Sequence, residues 1–260
     1  MTVNHGVSAI DPNLLILGGT TEGRSLCTVL ADAGVRGTVS MAGRVARPAP
    51  QGMPLRVGGF GGAEGLARYL RDNAITHVID ATHPFAAQMS CNAIAACAET
   101  GVPLLAYTRA PWQPEDGDQW THVADIAGAV DALKGPRKRV LLAVGRMHLS
   151  DFTVNPQHAY VLRLVDPPSE ALGFPEATVI VDRGPFTLEG DRALMEEHGI
   201  DLVVSKNAGG KGAEAKIIAA RQLGVPVIMI DRPAIPPRTE AHSIDDVKRW
   251  LGHALTDLGV

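Results

Sequence analysis

The chain has 260 residues, 45% of them hydrophobic and 20% charged, with a net charge of −4. This is ordinary globular composition, enough to bury a real core, and it lacks the basic excess of a general nucleic-acid binder. No apolar run approaches the ~20 residues needed to span a bilayer, and Met1 to Pro12 lacks the apolar stretch of a secretory signal, so a cytosolic protein with no membrane partner is expected.

Short apolar runs alternate with helical patterns. Asn13 to Leu17 reads as a buried strand and Glu22 to Ala33 as the helix after it. Strands follow at Thr38 to Met41 and Leu55 to Val57, then a helix with Leu66, Tyr69 and Leu70 on one face. The strand His77 to Asp80, a small-residue helix from Pro84 to Glu99 and the strand Pro103 to Tyr107 complete this half. Residues 109–117, with Pro111, Pro114 and Gly117, read as a linker. Beyond it, strands are expected at Val140 to Val144, Tyr160 to Leu164, Thr178 to Val181, Leu202 to Ser205 and Val227 to Ile230. A last helix runs from Ile244 to about Leu258, with Ser243 as its N-cap. Strands alternating with helices build parallel sheets covered on both faces. The expected fold is therefore α/β: two Rossmann-like parallel-sheet domains, residues 1–110 and 111–260, with the ligand site in an interdomain cleft.

The first strand-to-helix turn reads Leu17-Gly18-Gly19-Thr20-Thr21-Glu22-Gly23-Arg24. Glycines there permit a tight turn and let backbone N–H groups approach a pyrophosphate at the helix N-terminus. The spacing is G-G-x-x-x-G rather than the usual G-x-G-x-x-G, so a plain glycine turn is the competing reading. Dinucleotide enzymes that use NAD place a carboxylate at the end of the second strand to hold the ribose 2′-hydroxyl. Here that region offers Ser40, Ala42, Gly43, Arg44 and Arg47 and no acid, which suits a 2′-phosphate and favours NADPH.

Asp80-Ala81-Thr82-His83-Pro84-Phe85-Ala86 lies at a strand's carboxyl end, where open α/β sheets bind ligands. Thr82, His83 and Pro84 are candidate cofactor contacts, with Pro84 expected in the first helical turn. A helix cap with His83 merely hydrogen-bonded is the plainer alternative.

The fourth segment runs from Ser205 through Lys206, Asn207, Gly209 and Gly210 to Lys211. Ser205 stands where a P-loop needs glycine, and Gly212 where it needs Ser or Thr, so phosphoryl transfer is disfavoured. A glycine-rich loop with two lysines still suits an anion, and Arg146 adds a cation after the Val140 strand. A solvated surface is the alternative. Cys27, Cys91 and Cys97 show no paired spacing and read as reduced thiols. The nine histidines form no ligand pattern, so no metal is expected. No Tyr-x-x-x-Lys pair and no G-x-S-x-G elbow occur.

In order, the segments 17–24, 42–44, 80–86 and 205–210 resemble the precorrin-6A reductase family of cobalamin biosynthesis. The resemblance implies NADPH-dependent reduction of one ring double bond of a tetrapyrrole bearing many carboxylates. Arg146, Ser205, Lys206, Asn207, Gly209, Gly210 and Lys211 then become candidate substrate contacts, since a net-negative protein needs local positive charge for a polyanion. His83 is the one candidate proton donor, with a positioning role expected and solvent as the alternative source. Hand-over to neighbouring pathway enzymes is a further expectation. Alternatives are a substrate already carrying cobalt and a non-catalytic NADPH-binding module.

Overall fold

A computed structural model describes residues 12–43, 50–168, 170–182, 184 and 186–257. The chain divides into two compact units, one of residues up to Thr108 together with those from Ala234 onward, the other Arg109–Pro233.

In the first unit β1 (Asn13–Leu17), β2 (Arg36–Met41), β3 (Leu55–Val57), β4 (His77–Asp80) and β5 (Leu104–Tyr107) alternate with α1 (Thr21–Asp32), α2 (Gly62–Asp72) and α3 (Ala87–Thr100). β1 is apolar from Leu14 to Leu17 because both of its faces are covered. Leu14 and Ile16 join a cluster with Leu26, Leu30 and Val39, while Leu15 and Leu17 join one with Leu66, Leu70 and Ala93. The second unit holds β6 (Trp120–Val123), β7 (Arg139–Ala143), β8 (Ala159–Leu164), β9 (Ala177–Val181), β10 (Leu202–Lys206) and β11 (Val227–Ile230), with α4 (Ile126–Ala132), α5 (Leu188–Glu197) and α6 (Ala215–Leu223).

Both sheets are parallel and six-stranded, and they share one winding: β3-β2-β1-β4-β5-β12 and β9-β8-β7-β10-β11-β6. The sixth strands are exchanged in chain order. β6, which follows β5 in sequence, completes the second sheet, and β12 (Glu240–Ala241), near the chain's end, completes the first.

This corrects the expected boundary, which gave everything after residue 110 to the second domain. The chain returns at Ala234. Glu240 and Ala241 pair with Ala106 and Tyr107, and α7 (Ile244–Asp257) packs Val247 and Leu251 against Leu14 and Ile16. Ser243 does cap α7: its Oγ accepts the Asp246 N–H at 3.1 Å. Pro84 is also corrected. α3 starts at Ala87, and Pro84 lies in a preceding turn closed by the Ala86 N–H donating to the His83 carbonyl at 2.7 Å. Its fixed φ suits that turn as well as it suits a first helical turn.

Candidate cofactor and ligand sites

In the first unit a cavity of about 380 Å³ opens at the carboxyl ends of the strands. Gly18 and Gly19 line it from the β1 turn, Ser40 to Gly43 from the end of β2, and Thr82 and His83 from the end of β4. This is the switch point of the winding, because the chain moves outward from β1 to β2 on one side and to β4 on the other.

Thr20 caps α1, its Oγ1 accepting the Gly23 N–H at 3.0 Å and donating to the Ala81 carbonyl at 2.9 Å. One hydroxyl thus ties the β1 turn to the β4 loop. Gly23 is buried, and a Cβ there would sit 3.1 Å from the Ala81 Cβ and 3.2 Å from the Ala81 oxygen. Its role is the close helix–strand approach that the third glycine of a dinucleotide turn provides. Thr21, Glu22 and Arg24 stand on the first turn of α1 and, with Thr20, Gly23 and Pro84, are not cavity-lining. Arg44 lies outside the described residues.

The sequence reading missed the far wall of the cavity. Val57 and the run Gly58-Gly59-Phe60-Gly61-Gly62 line it, joined by Ala86, Met89 and Asn92 of the α3 segment. Arg56 braces this loop from behind. Its guanidinium donates to the Gly58 and Gly59 carbonyls at 2.5 and 2.8 Å and to the Ser40 Oγ at 3.1 Å, and lies 3.9 Å from the Phe60 ring centre. Four glycines in five residues between a strand and a helix were the available signal.

At the end of β4, Asp80 is buried and Thr82 donates to it through both its N–H and its hydroxyl. The His83 Nδ1 accepts the Phe85 N–H at 3.2 Å, which leaves Nε2 as the protonated nitrogen of the neutral ring.

The second unit places its expected residues unequally. Arg146 and Lys211 are exposed on short 3-10 turns beyond the carboxyl ends of β7 and β10, and Lys206 is half-buried at the end of β10. Ser205 is fully buried and its hydroxyl donates to the Lys206 carbonyl. Asn207 holds the Trp112 backbone through both ends of its amide. Gly209 and Gly210 lie against the 109–112 segment: a Cβ on Gly209 would fall 2.1 Å from the Ala110 oxygen, and one on Gly210 2.3 Å from the Arg109 side chain. Arg232 completes the knot, donating to the carbonyls of Asn207, Ala208 and Arg109. Much of this motif is therefore occupied in folding the loop itself.

Beside it lies a buried charged group that sequence inspection did not single out. Arg163 pairs with Asp191 and stacks 3.8 Å from the Phe186 ring centre. Lys216 donates to the Ala213 carbonyl at 2.6 Å and faces the Trp112 ring. Burial, reinforced by Arg163 and Arg109, lowers the Lys216 amine to about 7. Among the described residues no cluster of His, Cys, Asp or Glu could hold a metal ion, and no helix is long and apolar enough to cross a membrane. The cysteines are unbridged, with burial pushing Cys27 and Cys97 up to about 11 and 12.

The family described as precorrin-6x reductase CbiJ/CobK matches residues 13–252. The chain belongs to this family. It is an oxidoreductase of the cobalamin-forming precorrin-6x reductase group, as the ordered motifs led one to expect. A precorrin-6A reductase of Rhodobacter capsulatus is 56% identical over 248 residues, covering 95% of this chain and 99% of that protein. A solved structure of CobK precorrin-6A reductase superposes with a TM-score of 0.90 at 55% identity, covering 94% of this chain and 97% of that one. A cobalt-precorrin-6A reductase of Priestia megaterium is 31% identical, covering 92% and 97%.

Proposed function

We propose that this reductase uses NADPH to reduce a ring double bond of metal-free precorrin-6A, with the cofactor held by the first unit and the macrocycle by the second. The observation that carries the cofactor reading is the wall at the end of β2: Ser40, Ala42 and Gly43 line the cavity there, and no carboxylate stands among them. A carboxylate would repel a 2′-phosphate, whereas a hydroxyl can donate a hydrogen bond to it. The glycines of both turns fit a group that must approach the backbone closely, and the capped start of α1 suits a pyrophosphate.

When bound, NADPH supplies the hydride. The residues of the chain bind and orient. Gly18 and Gly19 admit the pyrophosphate, Ser40 and Arg44 address the 2′-phosphate, and Thr82 and His83 border the nicotinamide half. His83 acts by position, its Nδ1 already engaged by the Phe85 N–H. Lys206, Arg146 and Lys211 hold substrate carboxylates. The metal-free substrate is favoured by the gap between 56% identity to a precorrin-6A reductase and 31% to a cobalt-precorrin-6A reductase. The reaction belongs in the cytosol, beside the enzymes that make and use the macrocycle.

The test is absorbance at the nicotinamide band after mixing the protein with NADPH or NADH and with each form of the macrocycle. Loss of the band with NADPH and the metal-free form, and slow or no loss in the other combinations, is expected. NADPH binding without turnover would make the chain a binding module instead.

A further inference from the structure

We infer that Asp80 and Arg238 form a positioning pair for the hydride-transfer step, acting through the Thr82–His83 loop. The inference rests on the cofactor reading above. It begins with an unusual concentration of donors on one buried carboxylate. Asp80 Oδ1 accepts the Thr82 N–H at 3.1 Å and the Thr82 hydroxyl at 2.6 Å, and Oδ2 accepts the Ser90 hydroxyl at 2.6 Å and Arg238 Nη1 at 2.5 Å. The Asp80 side chain is 1% exposed and that of Arg238 9%. Three of these hydrogen bonds are local, while the Arg238 bond spans 158 positions in the chain.

Local folding does not account for that fourth partner. Burying a paired charge is costly, and an apolar pair of similar volume commonly gives equal or better stability. What the ion pair provides is a fixed geometry. Thr82 and His83 line the cavity, whereas Asp80 and Arg238 do not. The carboxylate therefore works through Thr82, holding its backbone and its hydroxyl at once.

The winding says which part of the cofactor this concerns. The pyrophosphate meets the β1 turn and the adenosine ribose the end of β2. β4 lies on the other side of β1, so its end falls to the nicotinamide half. Arg238 comes from the stretch that re-enters this unit at Ala234 and leads into β12. It also lies 3.4 Å from Glu240 Oε1. The returning stretch thus sets the loop that borders the reacting ring.

The experiment uses the full chain with Arg238→Ala, Arg238→Lys and Thr82→Val. Measured are kcat and KM for NADPH, the isotope effect with NADPH dideuterated at the nicotinamide C4, affinity for 2′,5′-ADP and the thermal midpoint. Misplacing the nicotinamide by a fraction of an ångström should lower kcat by roughly tenfold or more and raise the isotope effect. The affinity for 2′,5′-ADP, which lacks the nicotinamide, should stay unchanged. Arg238→Lys, which keeps the charge, should recover most of the loss. If Arg238→Ala does not fold, Thr82→Val carries the test, because it removes one donor and leaves the ion pair in place. A lower thermal midpoint with kcat and isotope effect unchanged in Arg238→Ala and Thr82→Val, or in Thr82→Val alone where Arg238→Ala does not fold, would make the pair purely structural and overturn the inference. Wild-type protein that does not oxidise NADPH with the macrocycle would overturn the cofactor reading and this inference with it.

Discussion

Asn207 grips the backbone of Trp112 across 95 positions of sequence, its Oδ1 accepting the Trp112 N–H at 2.8 Å and its Nδ2 donating to the Trp112 carbonyl at 3.0 Å. Both residues are buried. Asn207→Ala would strand a buried donor and a buried acceptor, each costing about 1–3 kcal/mol. A loss of about 2–6 kcal/mol in chemical denaturation is expected on that basis, with NADPH affinity little changed. A raised KM for the macrocycle at unaltered stability would instead make Asn207 a substrate contact.

Gly23→Ala should weaken both stability and cofactor binding. The added methyl meets the Ala81 Cβ and oxygen at 3.1 and 3.2 Å, and backbone cannot swing aside as a flexible side chain would. Overpacking of this kind costs about 1–3 kcal/mol. A cofactor titration and a thermal melt check it; unchanged values in both would mean α1 has room to shift.

His77 is fully buried, and burial lowers its pKa below the usual histidine value. Its Nε2 finds no hydrogen-bond partner among the described residues. The unfolded chain takes up a proton near pH ~6.5 that the folded chain resists. The stabilising difference is thus complete above that pH and is lost as pH falls below it. His77→Leu should flatten the acid limb of the stability curve between about pH 7 and 5. An unaltered limb would assign it to other groups.

Lys216 has the same sign over a different window. Its amine titrates at about 7 folded, against 10.5 for an ordinary lysine. Wild-type stability should therefore rise from pH 7 towards 10.5 and be lost as pH falls through that range. Lys216→Met, similar in length and uncharged, should flatten the rise and be the more stable protein at pH 7. Equal slopes for the two proteins would show that the ammonium finds compensation in place.

Arg44 follows the end of β2, beyond Gly43. A charge-assisted hydrogen bond to phosphate contributes about 1.5–3 kcal/mol, or roughly one to two decades in affinity. Arg44→Ala should therefore weaken NADPH far more than NADH in parallel titrations. Equal losses would mean that another group reads the phosphate.

The repeating strand–helix units were legible because parallel strands buried on both faces are continuous apolar runs, as in Leu14 to Leu17 and Val227 to Ile230. β6 was not, since Trp120 to Val123 mixes polar and apolar residues at a sheet edge, and β12 has only two residues. The β1 turn was readable from its glycines and its place in the chain. The Gly58–Gly62 wall was overlooked because it follows a three-residue strand that is largely exposed. The partnership of Asp80 with Arg238 could not be seen at all: it depends on the chain's return to the first sheet, which no local pattern encodes.

That return also governs how the protein can be made. The edge of β5 has its partner only once residues 240 and 241 exist, so a ribosome must deliver more than a hundred further residues after β5 before the first sheet can close. Until then β5 exposes unpaired backbone, and Asp80 lacks its arginine. Contacts of such long sequence separation slow folding and lengthen exposure to aggregation. Emergence of residues 240 and 241, rather than of residues 13–108, is therefore the event that completes the sheet of the first unit.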